Sequence, residues 1–109
     1  MIAAPVRRPA ALLRPARAHF DRERLPDPAD YYSRELPSLR GRGVWRDALC
    51  PFHEDSRPSL RVNVQTGGWR CMACGRGGDL LSFHMRRHGL GFADACKALG
   101  AWVGGRRHD

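Results

Sequence analysis

The chain has 109 residues and a formal net charge of +8, with 19 basic against 11 acidic side chains and four cysteines. That length bounds it to one small domain, and nothing in it approaches the roughly 20 apolar residues of a membrane span. So few cysteines, three of them at metal-ligand spacing, argue against a secreted disulfide scaffold and for a reducing, cytoplasmic setting.

Residues 1–27 read as a flexible basic arm. Arg7, Arg8, Arg14 and Arg17 precede the first acid, Asp21, while Pro5, Pro9 and Pro15 interrupt any long helix. A transit peptide would be amphipathic and serine-bearing, and serine is absent here. At most a short helical turn is expected at Ala10–Leu13. Residues 28–103 hold the folded domain, and 104–109 are a C-terminal tail.

The domain opens at Asp27-Pro28, an N-cap residue followed by proline at the first helical position. The predicted helix Ala29–Leu36 stops before Pro37 and turns Tyr32 and Leu36 inward. Beyond the Gly41–Gly43 turn the signals change to strands: Val44–Leu49, then Ser59–Val64 with Leu60, Val62 and Val64 on one face. Thr66-Gly67-Gly68 is a turn, and Trp69–Cys71 returns as the next strand. With Trp45 and Trp69 inward, Arg46, Arg61 and Arg70 fall on the opposite face. Asp79 then caps a helix over Leu80–Arg87, broken by Gly89–Gly91. Phe92, Ala95, Cys96 and Leu99 recur at i, i+3, i+4 and i+7, which predicts a last amphipathic helix.

The chemistry-bearing residues are Cys50 and His53 in C-P-F-H and Cys71 and Cys74 in C-M-A-C-G, with seventeen residues between the pairs. Each pair has the spacing that lets two ligands share one ion, and three thiolates with one imidazole suit a tetrahedral zinc. A zinc held by four protein groups keeps no water to activate, so one structural Zn2+ is expected. A rival set joins Cys71 and Cys74 to His84 and His88, which stand i, i+4 on a helix. That set leaves Cys50 and His53 unexplained, and His84 shares a helical stripe with Leu81 and Met85, as a core residue would. Cys96 reads as a small apolar core residue.

The segment Cys50–Gly78 resembles the zinc-binding domain of DnaG-type bacterial and phage DNA primases. C-P-F-H-E-D-S-R-P-S-L is similar to that family's C-P-F-H-x-E-K-x-P-S-F. C-M-A-C-G-R-G-G-D-L-L-S-F is similar to its C-F-x-C-G-x-G-G-D-x-I-x-F, and G-F-A-D-A-C-K-A-L-G looks like its closing helix. The resemblance implies a small α+β fold: a zinc ribbon on a short antiparallel β-sheet flanked by short helices. It also implies a task, recognition of single-stranded DNA template in primer synthesis. Ser56 departs from the family's lysine, Met72 from a common aromatic, and His84 from an aliphatic.

The family's synthetic step needs a separate acidic metal-binding domain with an Asp-x-Asp element. No D-x-D occurs in these 109 residues, so no catalytic residue and no small-molecule substrate are expected. Arg46, Arg57, Arg61 and Arg70 are the candidate DNA contacts, since arginine pairs with phosphate and stacks on bases. All basic residues but Lys97 are arginine, a bias that by itself says little about recognition. A separate primase catalytic subunit or a helicase is the candidate protein partner. Two other readings stay open: a ribbon that docks a helicase or polymerase, and a regulator that binds duplex DNA.

Overall fold

The computed structural model describes residues 18–104. The chain folds as β1 (His19–Phe20), a 3-10 turn (Arg22–Arg24), α1 (Pro28–Glu35), β2 (Trp45–Ala48), β3 (Leu60–Asn63), β4 (Trp69–Cys71), β5 (Gly77–Gly78), α2 (Leu80–His88), α3 (Phe92–Ala98) and β6 (Trp102–Val103). β2 to β5 form an antiparallel sheet in sequential order, and β1 pairs with β6. This is the small α+β architecture implied above.

Local chemistry sets most boundaries. The Asp27 carboxylate accepts from the Asp30 amide at the start of α1, with Pro28 just inside. Such a cap contributes about 1 kcal/mol. Asp79 does more for α2: its side chain accepts from the Ser82 amide while Ser82 Oγ accepts from the Asp79 amide, a reciprocal capping box. Gly89 ends that helix.

Register decides which face each strand buries. Ala48 stands opposite Leu60, and Leu60 opposite Cys71; Arg46 stands opposite Val62, and Val62 opposite Trp69. Ala48, Leu60, Val62, Trp69 and Cys71 are all buried. Phe83 of α2 is fully buried against this face, worth about 1.5–3 kcal/mol. Its ring centroid lies 5.1 Å from Tyr32, 5.3 Å from Phe52 and 5.4 Å from Trp69, all near edge-on. Tyr31 joins Tyr32 and Leu36 in this core, which makes the inner face of α1 wider than the pair the sequence suggested.

A smaller cluster of Leu81, Ala95 and Cys96 lies between α2 and α3, with Phe20, Leu99 and Trp102 against it. Cys96 is a buried core residue, as its apolar surroundings in the sequence suggested. Phe92 is 48% exposed despite its place in the helical period; it sits at the cluster's rim, edge-on to Phe20 and Trp102.

Two expectations change. Of the arm drawn over residues 1–27, and of the turn at Ala10–Leu13, residues 1–17 lie outside the described residues. From His19 onward the chain is not an arm: His19 pairs with Val103 and Phe20 with Trp102. Of the tail 104–109, only Gly104 is described. The second change concerns Trp45 and Arg46, whose faces are exchanged. Trp45 opposes Asn63 on the outer face and is 47% exposed, while Arg46 shares the inner face with Val62 at the sheet margin.

Candidate metal centre and nucleic-acid face

The quartet is assembled from two turns. Cys50 follows β2 and His53 lies in the turn after it, while Cys71 closes β4 and Cys74 lies in the turn before β5. Gly75 takes φ +77 immediately after the last of them, a left-handed conformation that side chains rarely adopt. One donor atom from each of the four lies within 4.8 Å of the other three. His53 Nε2 stands 3.3 Å from Cys71 Sγ, close to the roughly 3.5 Å edge of a tetrahedron with zinc–sulfur and zinc–nitrogen distances of about 2.3 and 2.0 Å.

The surroundings prepare these atoms for a cation. His53 Nδ1 donates to the Glu54 carbonyl at 2.8 Å. A carbonyl only accepts, so the proton is on Nδ1 and the Nε2 lone pair is free on the quartet side, the usual support of a metal-bound imidazole. Cys71 Sγ lies 3.5 Å from the Ser59 hydroxyl and accepts from the Cys74 amide at 3.4 Å. Burial raises the Cys71 thiol, but hydrogen bonds led by those from the Ser59 hydroxyl and the Cys74 amide outweigh it and hold it low. Burial pushes Cys50 the other way, up to about 12. One thiolate is thus favoured in place, and the ionisation of Cys50 beside it calls for a positive charge between them. The donor set, its convergence and its support all fit zinc.

Asp55 ties the first turn together. Its Oδ2 accepts from the Cys50 amide at 2.8 Å, the Ser59 hydroxyl at 2.8 Å and the Ser59 amide at 3.3 Å. Spacing had not marked this residue; the i, i+4 pairing of Asp55 with Ser59 inside the C-P-F-H-E-D-S-R-P-S loop was the available signal. On the other turn, Arg76 donates to the Phe52 carbonyl at 3.4 Å, so the two ligand loops are bonded to each other.

The rival ligand set is not assembled. His84 and His88 gather with Glu35, apart from Cys71 and Cys74.

The candidate DNA contacts divide. Arg61 and Arg70 are directly opposed on the outer face, in one row with Asp47 on β2 and Gly77 on β5. Asp47 accepts from Arg61 at 3.2 Å and offsets part of the repulsion between the two arginines. Arg61 also lies 5.9 Å from the ring centroid of the exposed Trp45. Arg70 is in no ion pair among the described residues and stands opposite Gly77. Arg57 is exposed on the loop after His53. Arg46 is on the other face, donating to the Gly43 carbonyl at 3.0 Å. The outer face therefore carries Trp45, Arg61 and Arg70 without Arg46.

Known proteins share this pattern. The family model of the CHC2 zinc finger, the DnaG zinc ribbon, matches residues 35–106. The DNA primase of Lactococcus lactis is 43% identical over 56 residues, which cover 51% of this chain and 9% of that protein. The Gene 58 protein of Mycobacterium phage D29 is 42% identical over 62 residues, 56% of this chain and 48% of that one. The crystal structure of the Aquifex aeolicus primase, comprising zinc-binding and RNA polymerase domains, superposes with a TM-score of 0.59 at 30% identity. The match covers 70% of this chain and 20% of that one. The chain thus spans under a tenth of the Lactococcus primase and about half of the phage protein.

Proposed function

The chain belongs to the CHC2 zinc-finger family, and from that premise we propose that it is a zinc-stiffened module that binds single-stranded DNA in primase-type replication. One structural zinc is held by Cys50, His53, Cys71 and Cys74. The observation that carries the reading is their convergence at the end of a sheet whose far face bears Trp45, Arg61 and Arg70. Zinc chemistry here is structural: four protein ligands complete a tetrahedron, which fixes both turns and the ends of β2 and β4. No step of catalysis is assigned to these residues, and the module works beside a separate primase catalytic subunit or a helicase. Its setting is the cytoplasm, where bacterial and phage primases meet their template. Among the described residues no helix is long and apolar enough to cross a membrane.

On the outer face, Arg61 and Arg70 supply phosphate contacts, and Trp45 offers an exposed ring beside Arg61 on which a base can stack. Arg57 extends the positive surface from the first ligand loop.

Fluorescence anisotropy with a labelled oligonucleotide tests this. Affinity for single strands is expected to fall steeply with salt. Arg61→Ala and Arg70→Ala should each reduce the salt slope by about 0.7 for every phosphate no longer neutralised. Trp45→Ala should weaken binding by about 1–3 kcal/mol if a base stacks there. Unaltered affinity in all three variants would remove the outer face as the binding surface. Stronger competition by duplex than by single-stranded DNA would instead favour a duplex-binding regulator. Partner affinity that survives high salt, with no oligonucleotide binding at low salt, would favour a docking module.

A further inference from the structure

A second group of ligating side chains joins α1 to α2, away from the quartet. Glu35 at the end of α1 meets His84 and His88, one helical turn apart on α2. One donor atom from each lies within 4.8 Å of the other two. His88 Nε2 is 3.0 Å from Glu35 Oε1, and the two imidazole centroids are 4.4 Å apart. His84 is only 8% exposed, and its Nδ1 lies 2.7 Å from the Tyr31 hydroxyl.

We infer that Glu35, His84 and His88 form a second metal site, suited to a divalent transition ion of the zinc class. Imidazole and carboxylate are the donors such ions take when no thiolate is offered. Ligands about 2.0–2.1 Å from a zinc ion lie roughly 3–3.4 Å apart, so the 3.0 Å between His88 and Glu35 needs little adjustment. His84 contributes the more demanding requirement, a buried and oriented ring. Its Nδ1 is engaged by Tyr31, while Nε2 has no hydrogen-bond partner among the described residues. The hydroxyl oxygen can accept from Nδ1–H, which frees the Nε2 lone pair for an ion. A metal-bound histidine usually has its second nitrogen satisfied in this way.

Arg87 is the opposing charge. Its Nε lies 3.9 Å from the same Glu35 oxygen, but its side chain is 39% exposed and can swing into solvent when an ion enters. Three protein ligands leave a fourth position for water, and the ion would pin the C-terminal ends of two helices together.

The experiment begins with protein carrying one zinc per chain and adds Zn2+, following bound metal by native mass spectrometry and the midpoint of thermal unfolding. A second equivalent that raises the midpoint is expected. It should vanish in His88→Ala and in Glu35→Gln, while both variants keep the first equivalent and thereby show that they are folded. His88 is exposed, so its truncation leaves the core untouched. Uptake of a single equivalent at saturating zinc, or a second equivalent that persists in both variants, overturns the site.

Discussion

Asp55 shows how much one side chain can do beside a metal centre without being a ligand. A single carboxylate oxygen holds the Cys50 amide and both donors of Ser59, and the Ser59 hydroxyl in turn lies against Cys71 Sγ. Asp55 thereby couples the first ligand turn to the second. The Cys50 amide, working against burial and helped by Ser59, holds its carboxyl below the usual range, so it is ionised at neutral pH and accepts throughout. Replacing it by alanine removes all three bonds, and removal of such outer support typically costs 10–100-fold in metal affinity. Asp55→Ala is therefore expected to release zinc to a competing chelator about that much more readily, with Asp55→Asn between it and the wild type. The convergence of Cys50, His53, Cys71 and Cys74 was legible, because C-x-x-H and C-x-x-C are local patterns. Asp55 was not, because its task depends on where the fold returns Ser59 and Cys71.

At the scale of elements, β5 is the least readable strand and the most constrained. Gly77 lies so close to β4 that an added Cβ would meet the Trp69 carbonyl at 2.8 Å, and one on Gly78 would collide with Ser82 Oγ. Both clashes involve groups fixed elsewhere: Trp69 in the core, and Ser82 in the capping box. Gly77→Ala is thus expected to lower the chemical-denaturation midpoint well beyond an exposed control such as Gly91→Ala, which has open space around it. Two adjacent glycines read as a turn from sequence, since glycine is a poor strand former. The β1–β6 pair was missed for a related reason, as two residues are too few to show a period. Longer elements were readable: alternation marked β3, and the Asp27 and Asp79 caps marked both helix starts. Trp45 and Arg46 misled because size suggested an inward tryptophan, whereas Ala48 opposite Leu60 sets the parity of β2.

For the molecule as a whole, the core is small and one-sided. Phe83 and the two tyrosines cover the sheet, but a domain of this size has little apolar burial to spare. The ends of β2 and β4 converge on the quartet, so zinc and the sheet should be lost together. Treatment with a strong chelator is expected to unfold the four-stranded sheet, seen as a fall in far-ultraviolet circular dichroism and a red shift of fluorescence as buried Trp69 meets water. Cys71→Ser should behave likewise without chelator. A protein that kept both signals after its zinc was gone would show that the core holds the sheet unaided.

The pairing of His19 with Val103 sets how force reaches this module. Because β1 and β6 run antiparallel, the incoming and outgoing chain pass the same point, and tension between them pulls their hydrogen bonds open one after another, like a zipper. The metal-bound turns lie outside that line of load. A stretched polypeptide would therefore peel away the clasp first and leave the zinc-stiffened sheet, with its outer arginine-bearing side, still folded.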